Sequence, residues 1–335
     1  MLFVASCEHR PLVESEFIPN TRYVRIYLDE NIRNVAYGFY DETKEKPVYK
    51  TPQVMRLTLS DIETERVKTE AYLTDAGKDE RGNYLEGKIT APPGVYHLVG
   101  YNFDTESVHV GYEYDYERMY AYTNEVSEEV RNRLNSVRNV TAGNWKGVYE
   151  PDHFFIATHE TIEVHEETDT LKTEKGDHLT ATTGVKTYYL QIQVEGVSYI
   201  SSASAFLSGM AGNMTIHNRQ LDKNDPVAVF FELNNGKDKG RQDKSVAYAT
   251  FNTFGKLDTE ENLLKITFEF LTRDGRIVTK TIPLTELFST EMVRVNQWII
   301  IDETIVIDPM EEDNSAEGIT PNVGEWENTE GEIFI

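Results

Sequence analysis

The groups best able to do chemistry in this 335-residue chain are its 8 histidines, its 57 acidic side chains and its single cysteine. His159, Glu163 and His165 alternate. On a strand that spacing would present three ligands on one face, as a zinc site needs. The flanking stretch is polar and Thr-rich and reads as a loop, so no metal is assigned. A glycosidase needs two carboxyl groups at a set separation. With 57 acids some pairs fall together by chance, and none is singled out. The glycine-rich phosphate loop with its lysine, the dinucleotide fingerprint and the Gly-x-Ser-x-Gly elbow are all missing. With no catalytic residue and no cofactor motif, the chain reads as a non-enzyme.

The cysteine, Cys7, stands alone, so the chain can form no internal disulfide and no thiolate cluster. Its position carries more information. Met1-Leu2-Phe3-Val4-Ala5-Ser6-Cys7 is an apolar run closed by two small residues. That arrangement suits a peptidase that cuts beside small side chains and leaves the thiol as acceptor for diacylglycerol. Val4-Ala5-Ser6-Cys7 thus resembles a lipobox, with Cys7 the expected lipid attachment site. Almost no apolar region and no basic segment precede it, so the true signal peptide is expected to start further upstream. Glu8 to Asn20 carries two prolines and several charges without periodicity, as a tether from anchor to fold would. Two or three acyl chains hold a protein durably on a membrane.

The net charge of -24 excludes nucleic acid as a partner, because phosphate binding needs clustered Lys and Arg. Charge of this size keeps copies of a chain apart in solution.

Alternation of apolar and polar residues dominates the pattern and predicts an all-β fold. In Tyr23 to Leu28, Val24, Ile26 and Leu28 share a face. Val54 to Leu59, Val95 to Tyr101 and Thr187 to Val194 read as further strands. Leu264 to Ile282 is a hairpin about Asp274-Gly275, with Ile266, Phe268 and Phe270 inward. Trp298 to Ile301 and Thr304 to Ile307 add late strands. Ser127 is placed to cap one short helix, with Val130, Leu134 and Val137 as its buried stripe; a surface loop is the other reading. Glu163 to Thr183 and Asn234 to Lys244 read as long loops.

Many short strands separated by turns favour β-sandwiches. The expected division is a signal remnant and tether at 1–20, sandwiches at 21–150 and 151–310, and an acidic linker with a terminal strand at 311–335. Trp326 restores alternation after the linker, and Ile333-Phe334-Ile335 suits a strand docked on a sheet edge. The edge belongs either to the same chain or to a neighbour.

Several stretches together resemble the fimbrillin-like lipoproteins of anaerobic gut and oral bacteria. They are Ser6-Cys7-Glu8-His9-Arg10-Pro11-Leu12, Pro93-Gly94-Val95-Tyr96-His97, Tyr101 to Glu106, Glu150 to Phe155, Tyr199 to Gly212, Thr250 to Gly255 and Trp326-Glu327. The resemblance implies two transthyretin-like β-sandwich domains in tandem and export as a lipoprotein to the outer membrane and cell surface. It also implies a role as a fimbrial (pilus) subunit, anchor or adhesin, with other subunits or itself as partner. In better-studied relatives a protease removes an early strand and a neighbour's terminal strand fills the groove. Arg22, Arg25 and Arg33 are conceivable cleavage sites for an arginine-specific protease. Ser201, Ala203 and Ala205 are small enough for another layer to approach, either as such a groove or as tight core packing. The alternative function is a non-polymerising outer-membrane lipoprotein that binds host glycan or protein.

Overall fold

The computed structural model describes residues 20–29, 51–132, 146–173, 175–237, 244–258 and 264–309. In chain order the first strands are β1 (Thr21–Leu28), β2 (Met55–Asp61), β3 (Val67–Leu73), β4 (Asp75–Asp79), β5 (Gly82–Thr90) and β6 (Gly94–Asn102). Next come β7 (Val108–Gly111), β8 (Tyr120–Thr123), β9 (Lys146–Tyr149), β10 (Phe155–Val164) and β11 (Leu179–Thr183). Then follow β12 (Lys186–Glu195), β13 (Ile200–Ala211), β14 (Asn213–Thr215), β15 (Pro226–Glu232) and β16 (Asn234–Lys237). The last are β17 (Ser245–Thr253), β18 (Lys265–Thr272), β19 (Ile277–Pro283) and β20 (Trp298–Val306). The expected all-β character holds, with short helical pieces only among the described residues.

Eight strands pair in the order β3-β2-β6-β10-β11-β1-β5-β4. The two ends of this sheet face each other across one core. Val24 and Ile26 of β1 and Leu85 of β5 meet Met55, Leu57 and Leu59 of β2 and Leu98 of β6 there. Gly100 permits the close approach: a Cβ on it would lie 3.1 Å from Ile26 Cδ1. The alternation predicted in Tyr23–Leu28 and Val54–Leu59 thus selects the inner face.

A second pair of layers, β16-β17-β12-β20 and β19-β18-β13-β15-β9, encloses the largest core. Phe231 of β15 and Phe251 of β17 stack across it with ring centroids 3.8 Å apart. Ile266, Phe268 and Phe270 of the predicted hairpin are fully buried here. The return strand pairs in register from Leu271↔Ile277 to Lys265↔Pro283, and Gly275 takes φ 85° in the turn.

A third sheet, β14-β8-β7, lies over a core that both sandwiches share. Val99, Tyr101, Phe154 and Ile156 enter it from the first sandwich, Ala211 and Phe254 from the second, and Met119, Ala121 and Met214 from the small sheet side. The predicted helix begins as expected: Val130 N–H donates to Ser127 Oγ at 3.3 Å, and residues 128–132 are helical. Leu134 and Val137 lie outside the described residues.

Three expectations need correction. The loop expected from Glu163 to Thr183 contains β11, which runs parallel to β1 through Ile26↔Leu179 and Leu28↔Ala181. Its Thr-rich sequence carries little hydrophobic signal, and its partner is far away in the chain. The loop expected from Asn234 to Lys244 opens with β16, paired to β17. A boundary at residue 150 also cuts across the pairing. β9 precedes it yet runs parallel to β15, while β10 and β11 follow it yet complete the sheet of β1 and β2.

Phe231→Ala should lower unfolding free energy by about 3–5 kcal/mol, the cost of a large aromatic cavity in a close-packed core. Ile277→Ser, at a 52% exposed edge position, should change it by no more than about 0.5 kcal/mol. Urea titrations of both variants check the pair.

Candidate functional site

The residues between β9 and β10 pass from one sandwich to the other, and side chains satisfy their backbone. Asn102, at the end of β6 and nearly fully buried, donates through Nδ2 to the His153 carbonyl at 3.1 Å. Its Oδ1 accepts from Phe155 N–H at 2.7 Å. The Asp152 carboxylate accepts from the backbone N–H groups of Glu106 at 2.6 Å and Ser107 at 2.5 Å. Ser107 Oγ donates to the Glu150 carbonyl at 3.0 Å and accepts from Asp152 N–H at 2.8 Å.

The second sandwich closes the joint. Glu150 Oε2 accepts from Asn252 N–H at 3.0 Å, and Asn252 Nδ2 donates to the Pro151 carbonyl at 3.1 Å. Thr187 Oγ1 donates to Asn252 Oδ1 at 2.7 Å. A separate brace comes from Arg219, held at φ 58° in the turn after β14. Its guanidinium donates to the Thr183 carbonyl at 2.9 Å and the Ile156 carbonyl at 3.2 Å. Burial lowers its pKa. Buried polar groups held in this way fix geometry, because leaving any of them unpaired is costly.

Burial also sets the charge of the joint. Glu150 is pushed up to about 7, chiefly by desolvation, against the lowering effect of the Asn252 N–H bond. Nearby Asp152 and Glu232 raise it further. Desolvation pushes His153 down to about 4, so its ring, set edge-on to Phe155 at 4.9 Å, is neutral at physiological pH. Three of the stretches that carry the sequence resemblance (101–106, 150–155 and 250–255) therefore meet in one structural joint. They build an attachment between sandwiches.

The sequence-predicted site residues are spread elsewhere. Ala203 and Ala205 of β13 face the large core, and Ser201 is exposed. β13 is bonded on both sides, to β15 and β18. A donor strand can therefore reach this segment only if one neighbour leaves. Cys7 and the tail residues Trp326, Ile333, Phe334 and Ile335 lie outside the described residues. Of His159, Glu163 and His165 only the last two meet, with Glu163 Oε2 3.5 Å from His165 Nε2; a bulge between His159 and Ile162 reverses the alternation of β10 and separates His159 from them. Among the described residues no group of three or more His, Cys, Asp or Glu is placed to hold a metal. No described helix is long and apolar enough to cross a membrane.

The arginines near the start are engaged. Arg22 is buried, with Nε donating to the Ala91 carbonyl at 3.2 Å and Nη2 to the His165 carbonyl at 3.2 Å. Arg25 pairs with Glu86 at 2.7 Å and Asp79 at 3.3 Å. Cleavage at either requires β1 to open first. Arg33 lies outside the described residues.

A family model described as a domain of unknown function, DUF5119, matches residues 40–232, more than half of the chain. The chain belongs to the DUF5119 family. A curated relative from Bacteroides ovatus, Fim4B, described as a candidate fimbrium anchoring subunit, is 24% identical over 215 residues. That match covers 61% of this DUF5119 chain and 60% of the relative, so it spans about three fifths of the curated protein's length. A solved candidate adhesin from Bacteroides ovatus superposes with a TM-score of 0.54 over 92% of this chain and 99% of that one, at 19% identity. The fimbrial anchor protein Mfa2 from Porphyromonas gingivalis covers 85% of this chain and 90% of its own, with a TM-score of 0.46 at 12% identity. The fimbrillin-like resemblance read from the sequence is borne out by the curated relative, and the all-β fold is shared with the first structure.

The raised Glu150 pKa yields a pH signature in this DUF5119 joint. The folded state holds the proton up to about 7, whereas an ordinary glutamate releases it near 4.5. Between those values the folded chain binds more protons, so stability falls as pH rises through the window. Glu150→Gln keeps an acceptor for Asn252 N–H and removes the charge. It should match the parent below pH ~4.5 and exceed it by up to about 3 kcal/mol above pH ~7. Denaturant unfolding across that pH range measures the difference.

Proposed function

We propose that this protein is a cell-surface lipoprotein that serves as a fimbrial subunit, anchor or adhesin. The observation that carries the reading is the match to a curated relative described as a candidate fimbrium anchoring subunit. The architecture supports it: sandwiches joined by a braced, partly apolar junction suit a load-bearing surface protein better than a catalyst. On this reading the chain is not an enzyme, needs no cofactor, and partners other pilus subunits or a copy of itself. On this reading its two main cores are the two transthyretin-like modules that the sequence resemblance implies, with strands crossing between them near residue 150.

Placement on the outer membrane rests on Cys7 as the acylated residue, with residues 8–20 as tether. Assembly rests on the segment Trp326 to Ile335 adding as a strand to a neighbour, where backbone bonds give affinity and alternate side chains give register.

Two measurements test this. Fractionation of cells followed by mass spectrometry of the mature N-terminus should find diacylated Cys7 in the outer-membrane fraction. Recovery from the cytosol with an unmodified thiol would remove the anchor from the proposal. Deleting Glu325 to Ile335 should abolish polymer while leaving the monomer's unfolding midpoint unchanged. Normal assembly of the truncated chain would rule out exchange through that segment.

A further inference from the structure

We infer that the outer face of the β7-β8-β14 sheet is a binding cleft for neutral carbohydrate. Alternation along these strands separates two faces. Ala121 and Met214 turn into the shared core, while Tyr120, Tyr122, Asn213 and Thr215 turn outward. Register sets them in rows: Gly111, Tyr120 and Thr215 in one, His109, Tyr122 and Asn213 in the next. Gly111 lets the Tyr120 ring lie against the strand, since a Cβ there would come within 2.6 Å of it. Tyr120 stands 5.5 Å from Tyr122 and 6.0 Å from Tyr112, ring to ring. Tyr112 is 55% exposed and Tyr122 36% exposed. Together they form a stepped tyrosine platform partly open to solvent, with ring planes tilted by 39° and 53° and the Arg118 guanidinium 3.9 Å over the Tyr112 ring.

The facing wall is polar and fixed. Asn213 Nδ2 donates to Asp222 Oδ2 at 3.3 Å and to Asp225 Oδ2 at 3.1 Å. Gly212 makes room for the second carboxylate, because a Cβ there would lie 2.3 Å from Asp225 Oδ2. The cleft encloses about 810 Å³, and a second cavity of about 320 Å³ shares Tyr122 with it. That size suits a small oligosaccharide. Sugar rings present C–H faces that pack on tyrosine and hydroxyls that need preset polar partners.

Charge selects among sugars. Arg118, Lys146 and Lys223 line the cleft against Glu117, Asp222 and Asp225, three positive and three negative, for a sum of zero. On a chain of net charge -24 this is a locally neutral surface, matched to an uncharged ligand and not to a sulfated or sialylated one.

The purified full chain on an array of neutral, sialylated and sulfated oligosaccharides tests the inference. Neutral members should bind. Tyr120→Ala and Tyr122→Ala should each weaken them roughly tenfold, with circular dichroism showing the fold retained. Asp222→Asn, nearly isosteric, should also weaken binding. A blank array, binding of acidic members alone, or full binding by both tyrosine variants would overturn the assignment. The assay uses monomer, so its failure leaves the fimbrial reading untouched, and failed assembly leaves this one untouched.

Discussion

The run from β9 to β10 is the constraint on which the rest of the structure turns. Its two ends hydrogen-bond in different sandwiches, through Val227↔Lys146 on one side and Ile156↔Tyr101 on the other. Between them no regular ladder exists, yet the backbone is enclosed, and buried amides and carbonyls must find partners. Asn102, Ser107 and Asn252 supply them from both sides. Phe154, fully buried beside Tyr101 with centroids 5.9 Å apart, supplies the apolar counterpart. The shared core is complete only when both sandwiches are in place. The polar joint and the apolar joint therefore fix one relative position, since a shift that satisfied the core would strand the amides.

Strands with strict alternation were legible before any coordinates. Val24, Ile26 and Leu28 declare their face, and Asp274-Gly275 declares its turn, because each signal is local. Signals that depend on distant partners were not legible. β11 reads Leu-Thr-Ala-Thr-Thr, with two buried apolar side chains, and its parallel pairing with β1 spans three residues. β9 is four residues long and leaves its own neighbours to pair across the molecule. The bulge that parts His159 from Glu163 leaves no trace in composition. The joint itself was half visible: Asn102 and Asn252 are polar residues at or next to strand ends, and Asp152 lies between two strands, all set among aromatics. Their convergence needed the fold.

The tyrosine platform illustrates the same limit. Tyr120 and Tyr122 alternate with Ala121, which marks one face of a strand, but neither which face is wet nor what stands opposite follows from spacing. The opposite wall comes from residues after β14, brought there by a pairing of three residues, Asn213↔Tyr122 to Thr215↔Tyr120. Gly111 and Gly212 become intelligible only then, as the positions where a ring and a carboxylate need the space of a methyl group.

Energetics separate two ways in which such a fold can accept a strand from outside. Opening the sheet at Ser201 to Ala205 removes β15 or β18. The first exposes Val227, Val229 and Phe231, the second Ile266, Phe268 and Phe270. Each buried side chain of this kind is worth about 1.5–3 kcal/mol, so the sum approaches the whole stability of an ordinary domain. Addition at an edge carries no such cost. The edges are not equivalent, however. On one side of the second sandwich, Lys280 of β19 pairs with Glu303 of β20 at 3.1 Å. On the same side Arg276 donates to the Asp308 carbonyl at 3.0 Å. These contacts tie the two layers together, and charged groups along an edge discourage further pairing. The opposite side ends in β9 and β16, four residues each, and β9 is already bonded along its outer edge, where Val126 N–H donates to the Gly147 carbonyl at 3.1 Å and Tyr149 N–H to the Asn124 carbonyl at 3.0 Å. Edge addition beside β16 is thus the less costly route for an incoming strand. It leaves the core intact and asks only for backbone bonds that the sheet already has in reserve.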